Sequence, residues 1–338
     1  MLSRAKGCLL AGACGDALGG IIEFMSISNI RAKYGPTGLT HMVLSNGSAL
    51  ITDDTQMSVY TAEGLLNARK KKCDYHDTLV EIHKSYLRWS RSQLHSDQFL
   101  KNAPYNIDEL KNDELTKNGK NKPLTASRCP GRTCLTALAE GTFFTPDHPA
   151  NDSKGCGTVM RVAPIAIYAK TLEEAYMLGC DSSALTHGHI LGWTSGGALC
   201  VLLRLLLDGE PLEKAANSMI EFIETKPECK QLVPYLKRAV ETARLKERGC
   251  DAFIKLGEGW VAEEALAIGL WSSLLNSTDT RQALLDAVNH SGDSDSTGAI
   301  AGYIVGAANG VESIPKEWLE HLELRDLIEE QVNDLLKE

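Results

Sequence analysis

Residues 51–72 read ITDDTQMSVYTAEGLLNARKKK, which is the pattern of one complete helix. Thr52 is a suitable N-cap, and Asp53 and Asp54 follow in the first turn, where exposed amides and the helix dipole favour negative charge. The segment Ser58–Lys72 ends in cations that suit a helix C-terminus, and its apolar residues share one face: Val59, Ala62 and Leu66. The stretch predicts an amphipathic helix, but capping alone leaves open why two like charges stand together at its start.

The same helical periodicity recurs along most of the chain. Residues 195–207 are almost continuously apolar, as expected of a central helix. Residues 1–20 predict a buried helix rather than a leader peptide, because the apolar run 8–14 is short and meets Asp16 at once. Few segments alternate with period two, so the predicted fold is all-α. Further helices are predicted at 234–249, 262–275, 281–288, 298–309 and 317–336.

Composition limits the class of protein. Hydrophobic residues make up 43% of 338 residues and no linker interrupts them, so residues 1–338 are predicted to form one compact domain. A net charge of −9 argues against nucleic-acid binding. Ten cysteines without a C-x-x-C pair predict reduced thiols and a cytoplasmic location. Because no apolar run reaches the length of about 18 residues that a membrane span needs, no membrane partner is expected.

One segment departs from the helical pattern. Phe99–Pro123 is crowded with Lys, Asn, Asp and Glu and has little apolar spacing. It predicts an exposed excursion from the domain, which is either a solvated loop or an element for specificity and partner binding.

A second acidic cluster lies about 240 residues beyond the first. Ser291–Gly302 reads SGDSDSTGAIAG, with Asp293 and Asp295 one residue apart and hydroxyls at Ser296 and Thr297. Like the first cluster, it runs into a predicted helix and has an ordinary capping interpretation. If the two helix starts converge, four carboxylates bring a charge of about −4 into a small space, which requires cations or large pKa shifts. Carboxylate and hydroxyl oxygens are ligands of hard divalent cations.

Five motifs occur together in a fixed order: GDALGGIIEF at 15–24, TDDT at 52–55, GCGTVMR at 155–161, THGH at 186–189 and GDSDSTGAIAG at 292–302. This ordered set resembles the ADP-ribosylglycohydrolase family. The resemblance implies a compact all-α fold with a cleft that holds two Mg²⁺ ions, or Mn²⁺. By matching motif positions, it implies as metal ligands Thr52, Asp53, Asp54, Asp293, Asp295 and Ser296.

The resemblance also implies roles in binding and catalysis. Asp53, Asp54 and Glu23 are the implied catalytic residues, with Asp54 as general base and Glu23 near the leaving group; Glu23 also has an interpretation as a cap. The glycine-rich loop is implied to surround the diphosphate and distal ribose of ADP-ribose, since glycines let backbone amides approach phosphate oxygens. The implied substrate-binding residues are Gly155, Cys156, Gly157, Thr158, His187 and Ser291. His189 is interpreted as structural and residues 127–133 as a turn near the pocket. Arg161 is interpreted as a phosphate contact or as the partner of a buried acid, and the second is preferred.

The implied activity is Mg²⁺-dependent removal of mono-ADP-ribose from protein side chains, with ADP-ribose as product. The serine in D-S-D-S resembles the arginine-specific members, so N-linked ADP-ribosylarginine is the expected substrate. Three alternatives stay open: a hydrolase of O-linked or polymeric ADP-ribose, a non-catalytic binder on the same scaffold, and an all-α Mg²⁺ diphosphate enzyme. The last fits less well, because DDTQM lacks the third acid of D-D-x-x-D and aromatic residues are only 6%.

Overall fold

The computed structural model describes residues 1–337, and most of these residues are helical. Across this range, β-pairing is limited to four isolated bridges, which confirms the all-α prediction. Short 3₁₀ helices form at Phe99–Asn102, Lys117–Gly119, Lys122–Thr125, Cys156–Arg161, Pro227–Gln231 and Val311–Ser313. The α-helices are α1 (Leu2–Gly19), α2 (Ile27–Tyr34), α3 (Asp53–Lys71), α4 (Tyr75–Leu94), α5 (Ile107–Lys111), α6 (Arg132–Ala139), α7 (Ala163–Tyr168), α8 (Leu172–Ala184), α9 (Ile190–Leu207), α10 (Leu212–Glu224), α11 (Val233–Arg244), α12 (Cys250–Leu256), α13 (Ala262–Leu275), α14 (Thr280–Val288), α15 (Ser294–Asn309), α16 (Lys316–His321) and α17 (Arg325–Leu335).

Helices α1 and α15 pack against each other at unusually short distance in the buried core. Small residues on both helices permit this approach: a Cβ on Gly15 would clash with the backbone carbonyl of Gly298, and one on Gly19 would clash with that of Ser294. Because the backbones touch, the end of α1 is held directly beside the start of α15. This contact places the second acidic cluster.

The start of α3 is held at the same end of α1 through Asp16. The buried Asp16 carboxylate accepts hydrogen bonds from the backbone N–H and the hydroxyl of both Thr52 and Thr55. Asp16 therefore holds the start of α3 against the end of α1, as close backbone contact holds the start of α15 there. The two helix starts that carry the acidic clusters both lie against the last turn of α1.

Helix α9 is longer than residues 195–207, since it begins at Ile190. His189 is its N-cap, and Nδ1 of His189 accepts the backbone N–H of Leu191 at 3.1 Å, which is a structural contact as predicted. With 18 residues and a mean hydropathy of 1.8, α9 is long and apolar enough to cross a membrane, although 89% of it is buried inside the protein. The expectation that no run reaches that length was therefore wrong for α9.

Two helix predictions at the C-terminal side needed correction. The predicted helix over 317–336 is two helices, α16 and α17, because Leu324 takes a left-handed conformation with φ 57° between them. The predicted helix over 234–249 ends at Arg244, and Lys246 is also left-handed. The apolar spacing runs on past Leu324 but stops before Lys246, where residues 246–249 are Lys, Glu, Arg and Gly.

The polar segment 99–123 is only partly an excursion. Phe99, Leu100 and Leu110 are buried, and the carboxylate of buried Asp113 accepts the hydroxyl of Tyr60 at 2.6 Å. The segment forms short helices against α4 and does not line the acidic cleft described below. A role in partner binding stays a prediction.

Candidate active site

The starts of α3 and α15 meet in a cleft of about 510 Å³. Asp53 and Asp54 enter it from α3, and Asp293, Asp295 and Ser296 enter it from α15 and the residue before it. Two acidic clusters that lie 240 residues apart in the sequence are thereby brought together. The other residues that line the cleft are Glu23, Phe24, Cys129, Pro130, Gly131, Arg132, Thr133, Cys134, Gly155, Cys156, Gly157, Met160, His187 and Trp260.

The acids of α3 differ in their partners. Oδ2 of Asp53 accepts the backbone N–H of Gly131 at 3.1 Å, which joins α3 to the turn at residues 127–133. Oδ2 of Asp54 is buried and has no hydrogen-bond partner. A buried carboxylate oxygen without a donor is costly unless a proton or a cation neutralises it.

The acids near α15 lie beside Glu23. One carboxylate oxygen from each of Glu23, Asp293 and Asp295 lies within 4.8 Å of the others, close enough for the three to share one cation. The backbone N–H of Ser296 donates to Asp293 at 3.3 Å and to Asp295 at 3.0 Å, so both carboxylates cap the start of α15. Glu23 was predicted as a catalytic acid. Its distance from Asp293 and Asp295 also makes it a candidate ligand of a cation.

Crowding shifts the acidity of this cluster. Burial raises the pKa of Asp53, Asp54 and Asp295 well above the usual range, and the neighbouring carboxylates raise these pKa values further. Burial and the nearby charges of Asp295 and Asp53 raise the pKa of Glu23 to about 9, and burial raises that of Asp293 to about 6. Without a positive charge the cluster holds protons, because so many carboxylates cannot ionise together in a buried space.

The donor set fits hard divalent cations. It consists of carboxylate oxygens with nearby hydroxyls, which suits Mg²⁺ or Mn²⁺. The unpartnered Oδ2 of Asp54 is the observation that tests this fit, since residues 1–337 give it no hydrogen-bond donor and a bound cation would neutralise it. Asp53, Asp54, Asp293, Asp295 and Glu23 are the residues that could hold cations.

The glycine-rich loop forms another wall of the cleft. A Cβ on Gly157 would lie 2.9 Å from Sγ of Cys134 and 3.1 Å from the ring of His187, so only glycine leaves room for the histidine. Sγ of Cys156 donates to Oδ2 of Asp293 at 2.7 Å. The loop and the acidic cluster are therefore in direct contact.

His187 is positioned by a chain of hydrogen bonds that begins at Arg161. The guanidinium of Arg161 donates to the Thr186 hydroxyl at 2.8 Å, and that hydroxyl lies 2.8 Å from Nδ1 of His187. With Arg161 donating to its oxygen, the Thr186 hydroxyl is free to donate to Nδ1 of His187, an arrangement that would leave the His187 N–H at Nε2. Burial and the Arg161 charge lower the pKa of His187 to about 3, so the ring is neutral and can donate from Nε2.

Arg161 itself was expected to pair with a buried acid, and this expectation was wrong. Its guanidinium donates to the Ser182 carbonyl at 3.0 Å, to Thr186 and to the sulfur of Cys134 at 3.4 Å. It also lies over the ring of Tyr86, 4.4 Å from the centroid, which is a cation–π contact. Neutral acceptors and an aromatic face thus replace the predicted carboxylate.

Three predicted site residues lie outside the cleft lining. The hydroxyl of Thr52 donates to Asp16, and that of buried Thr158 donates to the Gly192 carbonyl at 2.7 Å. The hydroxyl of Ser291 accepts the backbone N–H of Ile27 at 2.7 Å, next to a different cavity. Each of these hydroxyls is engaged in a structural hydrogen bond, and the structure brings none of them to the cleft wall.

Other residues of the site were not predicted. Asp16 lies within the GDALGG motif, and an acid inside a buried apolar helix is the signal that could have revealed it. Phe24 and Trp260 stack at the cleft with ring centroids 5.9 Å apart, and the Phe24 side chain is 70% exposed. Trp260 is distant in sequence from every motif and has no comparable signal.

The fold and the cleft together define an all-α enzyme with a polyacidic active site. The chain belongs to the ADP-ribosylglycohydrolase family, whose family model matches residues 1–338. It is therefore a hydrolase of ADP-ribosylated substrates, and ADP-ribose is its product.

Several known proteins are similar along most of their length. The ADP-ribosyl-[dinitrogen reductase] glycohydrolase of Rhodospirillum rubrum is 27% identical over 341 residues, covering 95% of this chain and 91% of that protein. The ADP-ribosylarginine hydrolase Tri1 of Pseudomonas putida (strain GB-1) is 24% identical over 339 residues, covering 99% of this chain and 78% of that protein. A solved structure described as an ADP-ribosylglycohydrolase-related protein complex superimposes with a TM-score of 0.64 over 99% of this chain and 97% of that one, at 24% identity, and shares the fold.

Proposed function

We propose that this enzyme removes mono-ADP-ribose from arginine side chains of proteins and requires two Mg²⁺ ions, or Mn²⁺, to do so. One observation carries the proposal. Asp53 and Asp54 lie in the same cleft as Asp293 and Asp295, and the buried Oδ2 of Asp54 lacks any partner among the described residues. Such a cluster, beside a glycine-rich loop suited to phosphates, fits a cation-assisted cleavage of a bond to ADP-ribose.

The preference for arginine has two supports. The D-S-D-S sequence at 293–296 resembles that of the arginine-specific members, and a relative matched along its length is named an ADP-ribosylarginine hydrolase. An acidic cleft also suits a cationic leaving group, because carboxylates attract a guanidinium.

Each residue of the cleft would have a role that follows from its position. The bound cations would supply positive charge that offsets the acids and orients the hydroxyls of the distal ribose. Gly155, Gly157 and His187 would hold the diphosphate and ribose, with Nε2–H of His187 as a donor to an oxygen of the substrate. Asp54 would take the proton of the attacking water.

Glu23 is proposed to act on the leaving group. It is half-buried, its carboxylate is beside those of Asp293 and Asp295, and Phe24 next to it is exposed at the cleft. A protonated carboxyl in that position could donate its proton to the nitrogen of the leaving guanidine as the C–N bond breaks, and then take up another proton from solvent. We therefore assign Glu23 to the leaving group and Asp54 to the water.

A linkage panel tests the proposal. The protein would be incubated with arginine-, serine- and aspartate-linked ADP-ribose and with O-acetyl-ADP-ribose, with and without Mg²⁺, and the release of ADP-ribose would be measured. Release from the arginine linkage alone, and only with the cation, is the expected result. Preferential release from serine or O-acetyl linkages would contradict the arginine preference, and a tight complex without release would identify a binding protein.

The location is proposed from the cysteines. All ten are free thiols, six of them buried, which supports a reducing compartment such as the cytoplasm. The absence of nucleic-acid partners stays a prediction from the net charge of −9.

A further inference from the structure

Arg128, in the turn at residues 127–133, binds two segments that are distant in the sequence. Its Nη1 donates to the Ile51 carbonyl at 2.6 Å and to Oε2 of Glu323, and its Nη2 donates to Oε1 of Glu323 at 3.2 Å. The backbone N–H of Ile51 donates to the same carboxylate at 3.2 Å. The guanidinium, the carboxylate and both backbone polar groups of Ile51 therefore form one closed cluster.

The same turn reaches Asp53 three residues after Arg128. The backbone N–H of Gly131 donates to Oδ2 of Asp53 at 3.1 Å. Because Ile51 stands two residues before Asp53, the turn is joined to the start of α3 at two points, one on the backbone before the acid and one on its carboxylate. Arg128 does not line the cleft, whereas residues 129–134 form part of its wall. An effect of Arg128 on the acidic cluster must therefore pass through the turn.

Gln56 on α3 holds the chain only up to the beginning of this turn. Its Nε2 donates to the carbonyl of Ala126 at 2.8 Å. Beyond that point, within the described structure, residues 127–131 form hydrogen bonds to distant segments only through the Arg128 guanidinium and the Gly131 N–H. The position of this stretch therefore depends on the arginine.

Cys129 gives the turn a conformation that needs support. Its backbone is left-handed, with φ 53°, which a residue other than glycine seldom adopts unless surrounding contacts hold it. The bonds of Arg128 and Gly131, on either side of it, are those contacts. Without the guanidinium, the turn is free to relax away from Asp53.

Glu323 gives Arg128 a fixed point on the far side of the turn. The backbone N–H of Glu323 donates to the Ala49 carbonyl at 3.3 Å, and the N–H of Ala49 donates to the His321 carbonyl at 2.8 Å. The segment before α3 is thus paired with the segment before α17. This pairing holds the carboxylate in place independently of its ion pair.

We propose that Arg128 is a positioning residue for the active site: paired with Glu323, it fixes the turn so that the Gly131 N–H orients the carboxylate of Asp53. The inference rests on the proposed role of Asp53 in the cation centre and adds the support for that ligand. Hydrogen-bonded partners of metal ligands orient them and strengthen metal binding. A bidentate arginine–carboxylate pair suits this task, because two parallel bonds fix a direction as well as a distance.

A comparable ion pair elsewhere in the fold provides the control. Glu329 accepts from Lys6 at 3.0 Å and from Arg325 at 3.0 Å. The exposed fractions of the Lys6 and Glu329 side chains are 21% and 27%, against 22% and 13% for Arg128 and Glu323. Neither Lys6 nor Glu329 lines the cleft. Glu329→Gln and Glu323→Gln therefore remove the same charge from similar pairs, and only the second pair bears on the turn.

The first measurement requires neither metal nor substrate. Hydrogen exchange of the Gly131 amide would be followed by NMR in the metal-free protein and in Arg128→Met, Arg128→Lys, Glu323→Gln and Glu329→Gln. Exchange should be at least about tenfold faster in Arg128→Met and Glu323→Gln, and unchanged in Glu329→Gln. It should be intermediate in Arg128→Lys, which keeps the charge without the two parallel donors. The amide of Leu199, in the buried centre of α9, reports global unfolding and should stay protected in every variant.

The second measurement is whether the turn supports the ligand. Mg²⁺ affinity by calorimetry should fall by about tenfold or more in Arg128→Met and in Glu323→Gln, but not in Glu329→Gln. Hydrolysis of ADP-ribosylarginine at subsaturating Mg²⁺ should slow in the same two variants and recover in part when Mg²⁺ is raised. Glu323→Gln decides both measurements if Arg128→Met does not fold.

The possible failures are distinguishable. Unchanged exchange of Gly131 in Arg128→Met overturns the inference, because the guanidinium then does not hold the turn. Faster exchange with unchanged Mg²⁺ affinity overturns it too, because Asp53 is then oriented without the turn, and so do matching losses in Glu329→Gln. A wild-type protein that neither binds Mg²⁺ nor releases ADP-ribose overturns the proposed function instead. The exchange of Gly131, recorded without metal, still decides whether Arg128 fixes the turn.

Discussion

Asp16 and Thr52 are joined by the backbone N–H of Thr52 at 3.0 Å and by its hydroxyl at 2.7 Å, both donating to the buried Asp16 carboxylate. Thr55 donates to the same carboxylate through its N–H and its hydroxyl. One carboxylate on α1 thereby accepts hydrogen bonds from the exposed amides at the start of α3. It also fixes the orientation of this helix start, from which the side chains of Asp53 and Asp54 extend.

Replacing Asp16 with Asn should therefore weaken both the fold and metal binding. The amide nitrogen would face N–H donors, so we expect a loss of about 2 kcal/mol or more in the free energy of unfolding. Mg²⁺ affinity should fall by about 10- to 100-fold because the ligands lose their support. Urea unfolding and calorimetry measure the two effects.

Asp74→Asn is the matched control for Asp16→Asn. Asp74 caps α4 by accepting a single N–H, from Asp77 at 2.9 Å, and Asn is an equally good N-cap. The substitution should change neither stability nor Mg²⁺ affinity. Equal effects of the two substitutions would show that Asp16 is an ordinary cap.

Asp54→Asn should abolish most of the hydrolysis while leaving the protein folded. The variant removes the carboxylate with the unpartnered oxygen, and we expect hydrolysis of ADP-ribosylarginine to slow by at least about 100-fold. The metal-free variant should melt at a higher temperature than metal-free wild type near neutral pH, since folding no longer has to bind a proton to this buried carboxyl. Asp251→Asn, at an exposed position of α12, is the control; near-normal turnover of Asp54→Asn would refute the assigned role.

Removal of divalent cations should stop the reaction and lower stability in a pH-dependent way. The acids of the cleft have folded-state pKa values raised above their unfolded values, to about 6 for Asp293 and about 9 for Glu23. Their contribution to stability is thus present at low pH and is lost as the pH rises through these values. Mg²⁺ should raise the melting temperature more at pH 8 than at pH 5. At 100 times its Kd, the bound ion should add about 2.7 kcal/mol to the free energy of unfolding. Full activity after treatment with EDTA would contradict the metal requirement.

Thr186→Val should disturb His187 without touching the substrate directly. The variant breaks the link from Arg161 to Nδ1 of His187, so the ring is no longer fixed with its proton on Nε2. We expect KM to rise by about tenfold with a smaller change in kcat, and ¹⁵N NMR should detect both tautomers of the ring. Thr194→Val, a buried threonine that bonds only within α9, is the control. An unchanged His187 spectrum would contradict the tautomer assignment.

His83 should limit stability in acid. It is fully buried, Nδ1 lies 2.9 Å from the Tyr105 hydroxyl, and burial lowers its pKa to about 3. Because this value lies below the unfolded value of about 6.5, its stabilising contribution is complete above pH 6.5 and falls as the pH drops toward 3. At pH 4.5 the loss is about 2–3 kcal/mol.

His83→Phe should therefore unfold less readily in acid than wild type, after a cost of about 1 kcal/mol at neutral pH for the lost hydrogen bond. Urea unfolding between pH 7 and 4.5 measures the difference, with the surface substitution His148→Phe as control. Parallel pH profiles for His83→Phe and wild type would contradict the prediction.

Much of the fold was predictable because helices are encoded locally. The apolar spacing of residues 58–72 and 262–275 predicted α3 and α13 with bounds close to those observed. The break at Leu324 was not predictable, since the residue is neither a glycine nor a proline and apolar residues lie on both sides of it. At the other break the predicted helix was extended to Gly249, although the apolar face ends at Ala243 and Lys246 is left-handed. The hydroxyls of Thr52, Thr158 and Ser291 could not be assigned from sequence either, because their partners come from distant segments.

By itself, the sequence determined the helices and the types of ligand: two acidic helix starts, a glycine-rich loop, and motifs in a family-specific order. The tertiary structure decided which of these residues meet. The glycines of α1 admit the backbone of α15, and Asp16 on the same helix holds the start of α3, so the two clusters converge on one turn of α1. Contacts of this kind depend on close packing between segments that are far apart in the sequence, by 36 residues for Asp16 and Thr52, and local patterns carry no information about such distances.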